Sequence, residues 1–151
     1  MPVVFRQAEE SDLQAIVALL ADDPIGRVRE SAGERLDPRY AEAFAAITGD
    51  RNQLLAVADC DGQVIGVLQL SFIPGLTRLG LWRGQIEGVR VAAGTRGSGV
   101  GRAMLEWAIE ECKKRGCGLV QLTSDKRRAD AHRFYEALGF RPTHEGYKLA
   151  L

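Results

Sequence analysis

The spacing of apolar residues changes along the chain, and in the first half it predicts one strand followed by two helices. Val3 to Arg6 is β-branched and aromatic, as in a strand. Two stretches at helical spacing follow, and their apolar residues are Leu13, Ile16, Val17 and Leu20, then Tyr40, Ala43, Phe44 and Ile47. Ser11, with Gln14 three positions later, is typical of a helix N-terminus. The polar segment Asp22 to Asp37 is expected to form the loop between the two helices.

The middle of the chain changes to strand composition. Gln53 to Ala58 and Val64 to Ile73 are apolar runs joined by Asp61-Gly62, the strongest hairpin signal in the chain. Pro74-Gly75 ends the second run. Leu76 to Gly84 fits either a loop or the start of the next strand, which is predicted over Gln85 to Ala92.

The second half alternates between strands and helices. A glycine-rich loop leads into a helix whose apolar residues are Ala103, Met104, Trp107, Ala108 and Cys112. Leu119 to Thr123 is the next predicted strand, and a helix with Ala131, Phe134, Tyr135 and Leu138 on one face follows it. Arg141 to Leu151 has room for a final hairpin. The predicted order is β-α-α-β-β-β-α-β-α-β-β, an α/β (α+β) fold.

Composition limits the kind of protein. The 151 residues suit one domain, residues 1–151, and are 46% hydrophobic and 26% charged. Basic and acidic residues number 20 each, so charge gives no case for nucleic acid or a membrane as partner. An odd, sparse set of three cysteines predicts reduced thiols in the cytoplasm, and the N-terminus lacks a signal-peptide pattern. With two histidines, no metal site is predicted.

The loop before the third long helix holds Gly94, Gly97, Gly99 and Gly101. A helix N-terminus presents unpaired backbone N–H groups, and glycines allow a ligand to approach the backbone closely. The loop is therefore interpreted as a phosphate-binding site; the alternative is a loop that merely turns the chain. No lysine follows a glycine here, which excludes the Walker pattern, and the glycine spacing does not fit the Rossmann fingerprint.

Two motifs resemble one known family. The pattern Arg96-x-x-Gly99-x-Gly101 resembles the pyrophosphate-binding motif of the GCN5-related N-acetyltransferases, the GNAT family. Ala131-x-x-Phe134-Tyr135 resembles that family's C-terminal motif. The resemblance implies the GNAT fold, a central mixed, mostly antiparallel sheet of about six or seven strands flanked by about four helices. It also implies transfer of an acetyl group from acetyl-CoA to a primary amine by direct attack on the thioester, with acetyl-CoA as co-substrate.

The resemblance also implies roles for residues around the loop. Those expected to bind the cofactor are Val89, Arg90, Val91, Arg96, Gly97, Ser98, Gly99, Val100, Gly101 and Arg102. Gly88 is expected to mark a bulge that separates its strand from the next and opens a slot for the cofactor; the alternative is that it only relieves crowding.

Glu87 and Tyr135 are the two candidate catalytic residues. Glu87 is the candidate base that takes the proton of the amine, and the alternative is an ion pair with a nearby arginine. Tyr135 is the candidate acid that protonates the departing thiolate, and the alternative is a tyrosine of the core.

Substrate recognition has weaker signals. Gln85 shares a strand face with Glu87, and Arg78 and Arg83 would suit an anionic group of the substrate. Arg128 stands where the family often has an asparagine that holds pantetheine. The stretch Ser124 to Tyr135 also resembles aminoalkylphosphonate-type acetyltransferases, which implies a compact substrate that can be acidic.

Three functions fit these features. The first is N-acetylation of a small amine, and the second is acetylation of a protein N-terminus or lysine. The third is a non-catalytic acyl-CoA sensor with the same fold, against which Glu87 and Tyr135 argue. A homodimer is common in the family and is an expectation from the resemblance only.

Overall fold

The computed structural model describes residues 2–151 and contains one mixed sheet of five strands. The strands are β1 (Val3–Gln7), β2 (Gln53–Cys60), β3 (Gln63–Ile73), β4 (Arg83–Val91) and β5 (Leu119–Leu122). They lie side by side in chain order, the first four antiparallel and β5 parallel to β4. The predicted class, a mixed and mostly antiparallel sheet with helices, is confirmed.

Helices cover both faces of the sheet. They are α1 (Leu13–Ala21), α2 (Pro38–Thr48), α4 (Val100–Lys114) and α5 (Ala129–Ala137), while the single turn α3 (Thr77–Gly80) lies in the connection between β3 and β4. On one face Met104, Leu105 and Ala108 of α4 are buried against Leu68 and Leu70 of β3. On the other face Ile16 and Leu19 of α1 pack on Val57 and Val67. Two apolar layers therefore hold the sheet between α4 and the α1–α2 pair.

A bulge interrupts β4 at Gly88. Gln69 pairs with Glu87 and Val67 pairs with Arg90, so two residues of β4 stand opposite Leu68. Gly88 has φ +62°, a conformation that favours glycine. Pairing between β4 and β5 ends at Ile86–Leu122, just before the bulge. The two parallel strands are unpaired beyond that point, and the bulge expected at Gly88 is present.

Two predictions about strands are wrong: residues 141–151 form no hairpin, and the sheet within residues 2–151 has five strands rather than six or seven. Residues 141–151 are exposed and adopt no regular secondary structure. Tyr147, Leu149 and Leu151 have the alternation of a strand, but they lie in solvent. An isolated hairpin is marginally stable in water, so these residues need a further surface to form one. Leu76 to Gly84 is mainly a connection, in which α3 precedes the start of β4 at Arg83.

Candidate active site

The opening between β4 and β5 is the first part of the candidate site. Beyond Ile86, β5 offers β4 no partner, and β4 bonds only to β3. The carbonyl oxygen of Val89 accepts a hydrogen bond from Nη1 of Arg90 at 2.8 Å, and that of Val91 accepts one from Nε of Arg96 at 3.3 Å. Backbone groups at this edge are thus available to side chains or to a ligand, since no strand covers them.

The glycine-rich loop joins this opening to α4. Gly97 and Gly99 have φ +82° and +89°, and no atom outside their chain neighbours lies within 4 Å of a Cβ built on either residue. Gly99 precedes the first turn of α4, which no side chain caps. The side chains of Arg96, Ser98 and Arg102 are exposed around the loop. Free N–H groups beside open space make this helix start suited to an anion.

Glu87 lies on a polar strip across the sheet, on the face opposite α4. It is exposed and accepts a hydrogen bond from the amide of Gln85, whose own Oε1 accepts from Nε2 of Gln121 at 2.8 Å. Gln69, opposite Glu87, is bonded to Gln53 at 2.9 Å. Among residues 2–151 no arginine forms an ion pair with Glu87. A carboxylate fixed by an amide can accept a proton from a ligand on this face.

Tyr135 projects from α5 with its ring half-buried between two aromatic neighbours. Ring centroids lie 5.5 Å from Phe134 and 6.0 Å from Phe140. Burial raises the pKa of the Tyr135 hydroxyl above its ordinary value of 10.0, and the charges of Arg90 and Arg128 oppose that rise. The hydroxyl therefore keeps its proton at neutral pH and can donate it.

Arg90 and Arg128 both form ion pairs with Asp23, a residue that no pattern in the sequence marks as part of a site. Nε of Arg90 lies 2.8 Å from Oδ2 of Asp23, and Nη1 of Arg128 lies 3.2 Å from the same oxygen. Asp23 comes just after α1 and is 105 positions from Arg128. No local pattern joins residues so far apart; only the folded sheet brings them together.

The other candidate substrate residues are less closely grouped. Arg83 is half-buried at the start of β4 and shares a face with Gln85 and Glu87 by strand alternation. Arg78 is exposed in α3, in the connection between β3 and β4 rather than on the sheet.

Within residues 2–151, no helix is long and apolar enough to cross a membrane. No group of three or more His, Cys, Asp and Glu side chains is placed to hold a metal ion.

A mixed sheet that opens between two parallel strands, with a glycine-rich helix start at the opening, defines the acyltransferase fold that the motifs resemble. The model of the acetyltransferase (GNAT) family matches residues 8–140, and the chain belongs to this family. The family and the class of enzyme, an N-acetyltransferase, are confirmed.

Named relatives cover nearly the whole chain. An aminoalkylphosphonate N-acetyltransferase of Salmonella typhimurium is 31% identical over 100% of this chain and 94% of its own length. A glucosamine 6-phosphate N-acetyltransferase of Trypanosoma brucei brucei is 36% identical over 97% of this chain and 94% of its own. A solved structure described as a transcriptional regulator from Bacillus halodurans C-125 superposes with a TM-score of 0.97. It is 48% identical and covers 99% of this chain and 100% of its own.

Proposed function

We propose that the protein transfers the acetyl group of acetyl-CoA to the primary amine of a small molecule, by direct attack of the amine on the thioester. One observation carries the proposal. The opening between β4 and β5 begins beside Glu87, leads to the glycine-rich loop, and has nearby a tyrosine that keeps its proton. A base, an acid and an anion-binding helix start are the groups that this reaction needs.

Each group has one task in the proposed reaction. Acetyl-CoA supplies the activated acetyl group as a thioester. Backbone N–H groups of Gly97 to Gly101 hold the pyrophosphate, with Arg96 and Arg102 beside them, and the backbone of Val89 to Val91 orients the pantetheine arm. Glu87 takes a proton from the amine, directly or through a water molecule, as the nitrogen–carbon bond forms. Tyr135 gives its proton to the sulfur as the carbon–sulfur bond breaks.

The substrate is proposed to carry an acidic group beside its amine. Two of the named relatives act, by their names, on an aminoalkylphosphonate and on glucosamine 6-phosphate, and each of these compounds joins an amine to a phosphorus oxyanion. Gln85, Arg83 and Arg78 are the substrate-binding residues of the proposal. The exposed polar strip around Glu87 supports a small polar acceptor rather than an apolar one.

A non-catalytic sensor is the second candidate, favoured by the description of the Bacillus halodurans protein as a transcriptional regulator. Titration calorimetry would detect acetyl-CoA binding in both cases, so turnover must separate them. Release of free thiol from acetyl-CoA should be followed with a panel of small amines, a peptide with a free N-terminus and a lysine peptide. We expect amine-dependent thiol release with a small amine. Binding without release for any acceptor would favour the sensor, and release with the peptides alone would favour a protein acetyltransferase.

The assembly and location of the protein belong to the same proposal. We propose that residues 1–151 act as one domain, in the cytoplasm, as a homodimer. Residues 141–151 expose apolar side chains at strand spacing, and β5 is paired on one side only, so a second copy could cover both. Sedimentation of the full chain and of a chain that ends at Arg141 tests this. The shorter chain is expected to be monomeric, and an equally stable dimer of it would contradict the tail's part.

A further inference from the structure

Two arginines share one carboxylate beside the opening. Arg90 and Arg128 both contact Oδ2 of Asp23, and their side chains are 14% and 24% exposed. Nε of Arg90 is buried and close to Asp23 but is not aligned for a hydrogen bond. Each guanidinium carries more N–H donors than the contacts to Asp23 and Val89 use. The group therefore carries more positive than negative charge, and one of its buried donors, Nε of Arg90, has no hydrogen-bond acceptor.

The bulge at Gly88 determines where this group faces. Residues three apart in a regular strand point to opposite faces. Here Glu87 pairs with Gln69 and Arg90 pairs with Val67, and those two residues of β3 share a face. The extra residue thus turns Arg90 to the same face as the candidate base. Two strand positions separate them, about 7 Å along the sheet.

Further positive charge lies near Arg90, and Arg128 lies beside open space. Burial lowers the pKa of Arg90, and the charges of Arg128 and Arg29 lower it further, while Asp23 opposes them. Arg128, but neither Arg90 nor Asp23, lines an open cavity of about 350 Å³ at the start of α5, together with Arg127, Ala129, Asp130 and Ala131. Partly buried excess charge is costly, so an anion that joined the two arginines would be stabilised by their charge.

We infer that Arg90 and Arg128 bind the acidic group of the amine substrate, a phosphonate, phosphate or carboxylate. Asp23 holds the two guanidinium groups in place and competes with that anion for them. This assignment rests on the proposed function and adds the residues that select an acidic acceptor. It concerns the side chain of Arg90, not its backbone, which faces the cofactor slot in the proposed reaction. A short carbon chain between amine and anion would reach from Glu87 to Arg90.

Binding and turnover of two amines test the inference. 2-Aminoethylphosphonate carries the anion, and propylamine is of similar length without it. Calorimetry on protein saturated with CoA should show the phosphonate bound at least tenfold more tightly than propylamine. Arg128→Gln should weaken phosphonate binding, and raise its KM, at least about tenfold, with propylamine and acetyl-CoA binding unchanged. Arg133→Gln removes the same charge from the exposed side of α5 and serves as the control. It should change neither the binding of the phosphonate nor its KM.

Asp23→Asn separates a binding role from a structural one. It removes the competing carboxylate but can still accept the N–H of Gly26, which now lies 2.5 Å from Oδ1. If the group binds an anion, this variant should bind the phosphonate at least as tightly as the unaltered protein. If the group is structural, Asp23→Asn and Arg128→Gln should weaken both amines alike, and the inference fails.

Two further results would also overturn the inference. One is equal binding of the two amines by the unaltered protein. The other is a loss of acetyl-CoA binding in Arg128→Gln without a change in amine preference, which would assign the arginines to the cofactor. Since calorimetry needs no turnover, a protein that binds the phosphonate but acetylates no amine would refute the proposed function and leave this subsite standing.

Discussion

Tyr135 has a place in the core, and the proposed reaction gives it a chemical role as well. Its ring packs between Phe134 and Phe140, while its hydroxyl takes its raised pKa from burial. A tyrosine that stays protonated is a useful acid for a departing thiolate, because it has a proton to give at neutral pH. The two roles can be separated by a change that spares the ring.

Tyr135→Phe deletes one oxygen and should lower turnover roughly 10²-fold or more, the range of a general acid. Deleting the hydroxyl while keeping the ring should lower the free energy of unfolding by about 1 kcal/mol at most. Melting temperature and turnover at saturating acetyl-CoA should be measured on one preparation. A variant that melts lower but turns over normally would place Tyr135 in the core alone.

Glu87→Gln keeps the shape of the side chain but cannot take the proton of the amine. We expect a fall in turnover of roughly 10²–10⁴-fold, with acetyl-CoA binding little changed, because the base acts on the amine. Glu110→Gln, an exposed carboxylate of α4, is the matched control and should be neutral. Near-normal turnover of Glu87→Gln across the pH range would make Glu87 a structural residue.

At the scale of elements, the bulge and the glycine-rich loop of one continuous segment shape the site. Gly88 lies in the bulge just beyond the last pair of β4 with β5, and Gly99 turns the chain into α4 through a positive φ. Both positions need backbone conformations that favour glycine. Substitution in the loop therefore adds a side chain where the cofactor's pyrophosphate is proposed to lie.

Gly99→Val should raise the dissociation constant of acetyl-CoA at least about tenfold, because the added side chain fills the space beside the first turn of α4. Valine at positive φ also strains the backbone, so a matched control is needed. Gly62→Val places the same residue at φ +86° in the hairpin between β2 and β3, away from the loop. Calorimetry and circular dichroism on both variants separate strain from blocked binding. Unchanged affinity in a folded Gly99→Val would rule out the loop as the binding site.

The sequence predicts most elements because their local signals are strong. Helical spacing locates α4 and α5, and Asp61-Gly62 locates the hairpin, with Asp61 at φ +52°. The expected cap of α1 by Ser11 and Gln14 is wrong. The capping residues are Glu9 and Asp12: the carboxylate of Asp12 accepts the backbone N–H of Glu9 at 2.7 Å and also binds Arg6.

The parts of the site that depend on distant contacts could not be predicted in the same way. Tyr135 is a candidate because it lies in a motif that resembles the family's, and Glu87 because it is a carboxylate on the strand that leads to the glycine-rich loop. Asp23 could not be found, because its partners Arg90 and Arg128 come from other elements. The prediction of a final hairpin is wrong because residues 141–151 have the local pattern of a strand but pair with no strand of the same chain.

At the scale of the whole molecule, a balanced net charge conceals ion pairs that join distant segments. Arg6 of β1 binds Asp12 before α1 at 2.8 Å and Asp59 of β2 at 3.0 Å. The pairs of Asp23 join the end of α1 to β4 and to the start of α5. Such contacts are made only in the folded chain, so they couple stability to pH.

Acid should therefore weaken the fold. Burial raises the pKa of Asp23, but the Gly26 N–H, Arg128 and Arg90 outweigh it and lower that pKa from 3.8 to about 2. A lowered pKa gives stability that is full above about pH 4 and is lost as the pH falls toward 2. Between pH 6 and pH 3, the free energy of unfolding measured in urea should fall by about 1 kcal/mol more in the unaltered protein than in Asp23→Asn. An equal fall in both would contradict the lowered pKa.

A crystal structure with bound CoA would show whether acetyl transfer takes place in the opening between β4 and β5. We expect the pyrophosphate on the backbone N–H groups of Gly97 to Gly101, and the sulfur within roughly 3–4 Å of the Tyr135 hydroxyl, beside Glu87. A CoA molecule whose pyrophosphate lies away from the loop, or whose sulfur is separated from Tyr135 by other side chains, would contradict that expectation.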